Sequence, residues 1–270
     1  MSFVFCMVEI IGRCTRKRNA DMPRSALKLQ FHPVMCGRFT LHHSPQEIAE
    51  RFAVQERLFD FPSRYNIAPN QPIAVVTRNA HGDDLKVLEG YRWGLVPSWA
   101  KDDTLGAKMI NARGETLSEK PSFKTALKRR RCLIPADGFY EWKNEGKSKQ
   151  PMHIRFKDER IFAFAGLWDE WNGPGDAPLR TCTIITGEPN PLLKTLHHRM
   201  AVILEPEHEE IWLDPDLPME NALSLLKIFP DREMEAFEVD KKVGNVVYDD
   251  SSLILPRENE VETAEQGSLF

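Results

Sequence analysis

The pattern of apolar and polar positions changes character at residue 35. Before it, "MSFVFCMVEIIG" is apolar but interrupted by Glu9, and no helical or strand period continues through "RCTRKRNADMPRSALKLQFHPV". The basic residues follow the apolar stretch, which is the wrong order for a signal peptide. Residues 1–34 are therefore expected to be an unstructured extension outside the native protein. From Met35 onward the periodicity becomes readable. Ser44-Pro45-Gln46-Glu47 combines an N-cap serine, proline at the first helical position and glutamate at the third, a capping box. Ile48, Phe52 and Leu58 would then form the apolar face of a helix.

Beyond it, "RYNIAPNQP" reads as an irregular loop entering a strand at Ile73–Thr77, and the turn "NAHGDD" leads to a second strand through "LKVLEGYRWGLV". "SFKTALK" predicts a short helix, and strands flank a turn at "NEGKSK". "RIFAFAGLWDEW" and "RTCTIITGEP" are strands separated by the loop "NGPGDAP". Short helices are predicted at Pro191–Leu196, Pro206–Leu213 and Met219–Lys227. The expectation is a single α+β domain over 35–255, with a mixed or antiparallel, barrel-like β-rich core flanked by short helices, and a disordered acidic tail over 256–270.

Composition narrows the function. In 270 residues, hydrophobic residues are 41% and charged residues 28%, a globular balance. No apolar run approaches the roughly 18 residues of a membrane span, so no membrane partner is expected. The five cysteines (Cys6, Cys14, Cys36, Cys132, Cys182) show neither a disulfide framework nor metal-ligand spacing, which suits a cytoplasmic protein. Cys132 and Cys182 fall in apolar strand patterns and read as core. The net charge of −4 gives no global sign of nucleic-acid binding, so any DNA contact must be a local basic patch. "KRRR" at 128–131 reads as a solvated helix end.

Cys36 changes the picture because it follows Met35. With methionine removed, Cys36 carries a thiol and a free α-amine two carbons apart. An α-amine has a pKa near 8, so roughly a tenth is neutral and nucleophilic at pH 7. It condenses with an aldehyde to an imine, and the thiol closes a five-membered thiazolidine at high effective molarity. A terminal Cys36 is an aldehyde trap.

Six motifs now fall in order: "MCGRFT" at 35–40, "RYNIAP" at 64–69, "RWGLVPSWA" at 92–100, "INARGET" at 110–116, "ADGFYEW" at 136–142 and "LHHRM" at 196–200, with "VGNVV" at 243–247. Together they closely resemble the SOS response-associated peptidase (SRAP) family of abasic-site processing proteins. The resemblance implies an enzyme that captures the C1′ aldehyde of an abasic site in single-stranded DNA as a thiazolidine on Cys36, shielding the lesion during repair and replication. It further implies catalytic roles for three residues. Asn111 would hydrogen-bond the opened sugar, Glu141 would act as acid and base beside the amine, and His197 would shuttle protons, with His198 the second choice. Arg38, Arg113 and Arg199 match phosphate-contacting positions, and Trp99 would stack beside the missing base. Trp93 reads as core. No cofactor or metal is expected.

Three further expectations complete the picture. The C-terminal Gln266–Phe270, "QGSLF", resembles a pentapeptide that docks on the replication sliding clamp, although Gly267 departs from the usual leucine. A monomer associated with the nucleoid is expected. The alternative function is a cysteine-dependent peptidase of the SOS response, acting on its own chain before Cys36.

Overall fold

Segments that are apolar on both faces need partners on both sides, and here the strands supply them by closing on one another. The computed structural model describes residues 37–78, 84–175 and 177–257. The expectations on residues 1–34, Cys36 and Gln266–Phe270 lie outside the described residues. In chain order the first elements are β1 (Phe39–Leu41), α1 (Pro45–Arg51), β2 (Glu56–Arg57), β3 (Arg64–Ile67), β4 (Pro72–Arg78) and β5 (Lys86–Trp93). Next come β6 (Asn111–Arg113), α2 (Pro121–Arg129), β7 (Arg131–Ala136), β8 (Gly138–Glu145), β9 (Ser148–Phe156), β10 (Phe162–Trp171) and β11 (Leu179–Gly187). The last are α3 (Pro191–Lys194), β12 (Met200–Ala201), α4 (Pro206–Leu213), α5 (Met219–Ser224) and β13 (Met234–Glu238).

Strands β11, β10, β7, β4 and β5 are bonded in succession, all antiparallel. The ring closes where β5 returns to β11 in parallel, with Arg92 opposite Thr181 and Trp93 opposite Cys182. This is a closed mixed barrel of five strands, and the fold class is α+β. A second sheet, in the order β13-β9-β8-β1-β3, packs on it through Phe39, Phe139 and Phe164, whose rings meet edge to face at 5.8 and 6.1 Å. Each such side chain, fully withdrawn from water, contributes about 1.5–3 kcal/mol. Cys132 and Cys182 are buried in the barrel and burial pushes both thiols up, so they are core residues as expected.

Local sequence explains the positioning elements. The capping box at Ser44 forms, with its side chain accepting from Glu47 N–H while Glu47 Oε2 accepts from the Ser44 N–H at 2.7 Å. Helix α1 stops at Arg51 and Ala53 turns the chain with φ of 49°, so Leu58 lies beyond the helix and is 54% exposed rather than on its apolar face. Gly94 has φ of +133°, and the Gly106 carbonyl oxygen lies 2.6 Å from where a Cβ would stand. Only glycine permits that turn, which redirects the chain after Trp93 toward the exposed loop described below.

The helix predictions at Pro191, Pro206 and Met219 start where expected, though α3 and α5 end two and three residues early. The reading of "KRRR" is half corrected. Lys128 and Arg129 are solvated. Arg131 instead begins β7 buried, donating to the carbonyls of Trp212 at 2.7 Å and Leu127 at 2.6 Å. Among the described residues no helix is long and apolar enough to cross a membrane.

Candidate active site

The strand pair β1–β8 sets one half of the site. Phe39 faces Phe139, Thr40 faces Gly138, and the Tyr140 N–H donates to the Arg38 carbonyl at 3.0 Å. Carried one step further, this register puts Glu141 opposite Gly37, the residue that follows Cys36. Glu141 is only 2% exposed. Glu141 is therefore a carboxylate withdrawn from water beside the start of β1.

Arg38 sits beside it and is committed to protein groups. Its guanidinium donates to Asn66 Oδ1 at 2.8 Å and to the Val243 and Gly244 carbonyls at 2.7 and 3.2 Å. Burial presses its pKa down. Buried Asn66 donates in turn to the carbonyls of Val243, Asn245 and Tyr248. Asp249 accepts from the backbone of Tyr65 and Asn66 and pairs with Arg64. The "RYNI" segment is thus an anchor for the 243–249 loop, whose Val247 is left 80% exposed.

The other half gathers at the C-terminal end of β11. Strand β6 runs parallel to β11, with Asn111 opposite Ile184 and Arg113 opposite Thr186, while β12 pairs on the same stretch through Thr186 and Ala201. Asn111 is half-buried and Arg113 is exposed, its charge acting on the Glu115 carboxylate. Arg199 is held bidentately by Glu115 at 2.5 and 2.8 Å and donates to the Thr186 carbonyl at 2.7 Å. That hydrogen bond keeps the Glu115 carboxyl below its ordinary range.

His197 follows α3, its N–H bonded to the Leu193 carbonyl at 2.8 Å. The Arg199 backbone N–H donates to His197 Nδ1 at 3.2 Å, so Nδ1 is the acceptor and the ring proton resides on Nε2. Burial, with the like charge of His198 at a ring separation of 4.3 Å and that of Lys149, lowers the His197 pKa and keeps it neutral near pH 7. His198 is the more exposed ring.

Two links join the halves. Phe39 packs on Trp93 at 5.3 Å, and the Trp93 indole N–H donates to the Ile110 carbonyl at 2.8 Å, directly before Asn111. Lys149, opposite Asn144 in the β8–β9 hairpin that carries Glu141, acts electrostatically on His197. Trp93 is core, as its pattern predicts, whereas Trp99 is 60% exposed. The turn beneath Trp99 is fixed by Ser98 N–H to Asp169 and by the Trp171 indole to the Ala100 carbonyl, at 2.9 and 2.8 Å. The indole is therefore presented outward from a rigid base.

The profile of the SOS response associated peptidase (SRAP) family matches residues 35–246. The chain belongs to the SRAP family. Among SRAP relatives, the abasic site processing protein YoqW of Bacillus subtilis is 47% identical over 215 residues, covering 78% of this chain and 95% of YoqW. The abasic site processing protein HMCES of Gallus gallus is 34% identical, covering 72% of this chain and 66% of its own. A crystal structure of a protein from Bacteroides thetaiotaomicron superposes with a TM-score of 0.73 at 28% identity, covering 83% of this chain and all of that one. Within this SRAP framework, sequence reading missed Asn66, Asp249 and Glu115. The signal for the first was present in "RYNIAP", which reads only as a loop until the 243–249 segment lands on it.

Proposed function

We propose that the chain captures abasic sites in single-stranded DNA as a covalent thiazolidine on Cys36. The observation that carries this reading is the register of β8 on β1, which sets a buried Glu141 opposite the residue after Cys36. The names of the relatives, abasic site processing proteins, support the substrate.

The chemistry balances without a cofactor. The neutral Cys36 amine adds to the C1′ aldehyde, and the carbinolamine loses water to give an imine, the proton passing through Glu141. The thiolate then adds to the imine carbon while the nitrogen takes a proton, closing the ring. Asn111 supplies an amide that donates and accepts without titrating, suited to orienting the opened sugar. His197, neutral with its proton on Nε2, serves the sugar hydroxyl. Arg113 is the phosphate contact ready at the surface. Arg199 joins it by exchanging Glu115 for phosphate, and Arg38 acts mainly by organising the 243–249 loop. Trp99 offers an exposed π-face where the base is missing. Docking of Gln266–Phe270 on a sliding clamp would bring this chemistry to replicating DNA.

The family's description as a peptidase favours a second reading, in which the same Glu141 assists cleavage of the bond before Cys36 and so liberates the amine. One experiment separates the two. The protein expressed from its native gene context is mixed with a single-stranded oligonucleotide bearing one abasic site, and the intact mass is taken under denaturing conditions. The proposal expects a polypeptide beginning at Cys36 plus one oligonucleotide minus one water, absent in Cys36→Ser. A polypeptide beginning at Cys36 with no adduct favours the peptidase reading alone, and a chain retaining the preceding residues with no adduct overturns both.

A further inference from the structure

At the far end of β1 from Cys36, three ligand-type side chains meet that the reaction does not use. The Nδ1 atoms of His42 and His43 lie 2.9 and 3.0 Å from the same oxygen, Asp137 Oδ2. One donor atom from each of the three falls within 4.8 Å of the others. The Asp137 side chain is fully buried, while the imidazoles are 31% and 22% exposed, so the cluster opens to solvent on the histidine side only.

We propose that His42, His43 and Asp137 form a binding site for a divalent transition-metal ion of the Zn²⁺ type. An ion bonded to imidazole nitrogen and carboxylate oxygen at about 2.0–2.1 Å, with tetrahedral angles, holds adjacent ligand atoms roughly 3.3 Å apart. The observed nitrogen-to-oxygen spacings are within a few tenths of an ångström of that. The donor set, two imidazoles and one carboxylate, suits zinc and its neighbours better than calcium or magnesium. Each neutral ring moves its proton from Nδ1 to Nε2, turning a lone pair to the ion with no net proton released, and water completes the fourth position.

The carboxylate is already oriented as a ligand should be. Thr40 Oγ1 donates to its other oxygen at 2.6 Å, and the backbone N–H groups of His42 and His43 donate to Oδ2 at 2.5 and 3.3 Å. Such outer contacts normally fix a ligating carboxylate in place. His153, 1% exposed, has neither ring nitrogen hydrogen-bonded among the described residues. Its Nε2 lies 2.3 Å from where a Cβ of Gly138 would stand, and Thr40 Oγ1 lies 2.8 Å from that same point. An unpartnered imidazole thus backs the Thr40–Asp137 pair from the interior.

Because Asp137 stands 94 residues beyond His43, no short motif announces the site, which is why sequence spacing gave no metal. A bound ion would staple the β1–α1 corner to the β7–β8 turn, at the opposite end of the strand that leads to Cys36.

The test is calorimetric titration of chelator-treated full chain with Zn²⁺, with Co²⁺ as an optical probe of coordination. One equivalent should bind, with tetrahedral d–d bands for Co²⁺, and saturating Zn²⁺ should raise the thermal midpoint by about 5 °C. His42→Ala and His43→Ala should each weaken binding at least tenfold and remove the thermal gain. Cys36→Ser and His198→Ala should leave both unchanged, since thiol and histidine elsewhere are the competing ligands. No binding by the wild type overturns the proposal, and so does binding that survives both His42→Ala and His43→Ala.

Discussion

The chain holds two adjacent histidine pairs, and they behave as different reagents. The rings of His42 and His43 lie 4.9 Å apart, tilted by 35°, beside one buried carboxylate, which hydrogen-bonds His43 and raises its pKa. His197 and His198 lie closer, at 4.3 Å, and no carboxylate is bonded to either ring among the described residues. There, burial and the neighbouring positive charges lower the His197 pKa instead. Identical dipeptides therefore give one ring that holds its proton more tightly and one that is kept neutral. The surroundings decide, not the motif.

The largest expected effect separates the pairs by activity. His197→Ala should slow formation of the proposed covalent DNA adduct by roughly 10²–10⁴-fold, the range for loss of a general acid–base group. His43→Ala should change the rate less than about twofold. Single-turnover adduct formation on a denaturing gel measures both, and equal losses would break the distinction.

Next is stability. Burial alone would push the Asp137 carboxyl up, but hydrogen bonds from His42, His43 and Thr40, with the His42 charge, hold it well below the usual carboxylate range. Asp137→Asn keeps the shape but strips the charge from that network, and should cost about 3 kcal/mol by urea denaturation. It should also return His43 toward the behaviour of His197, moving its imidazole titration, followed by NMR, downward. Stability within about 0.5 kcal/mol of wild type would show that the carboxylate is not what organises the pair.

Much of this contrast was invisible in the sequence for a definite reason. The capping box at Ser44, the start of α4 at Pro206 and the burial of Trp93 are local consequences of spacing, and each was legible, whereas Trp99 was singled out by the resemblance. A barrel-like core was expected too, but not which strands close it, because β5 meets β11 through Arg92 and Thr181, far apart in the chain and joined by parallel pairing that no hairpin signal marks. The same holds at the site. Asn111, Glu141 and His197 were found through motif resemblance, whereas Glu115 gripping Arg199 across 84 residues, and Asp137 gripping His43 across 94, depend on the fold. Arg131 was misread for a related reason, since its partners are carbonyls of α4 and the residue beyond it.

A smaller effect follows from the His43–Asp137 pair. A raised folded-state pKa means that the pair's stabilisation is complete below the unfolded histidine value of about 6.5 and is lost as pH rises through the folded one. His153 opposes this. Burial lowers its pKa to about 3, so its neutral form favours the fold above about 6.5, and that advantage disappears as pH falls toward 3. The wild-type profile therefore mixes two opposite slopes, and only a difference isolates His43. The stability of wild type minus His43→Ala, from urea midpoints without added metal, should be largest near pH 6 and shrink toward pH 8.5. A constant difference would mean that His43 contributes packing alone.

The smallest effect probes the other pair from within. His198 lowers the His197 pKa by its own positive charge, second only to burial. His198→Ala removes that charge and leaves the Arg199 N–H on His197 Nδ1, so the tautomer should persist while the titration midpoint moves up toward the ordinary histidine value. Ring NMR reads both quantities, the midpoint from the carbon-bound protons and the tautomer from the nitrogen shifts. The direction matters because, in the first pair, the shared carboxylate rather than the neighbouring ring governs the proton. A midpoint that stays in place would assign the lowering at His197 to burial and Lys149 rather than to its neighbouring ring.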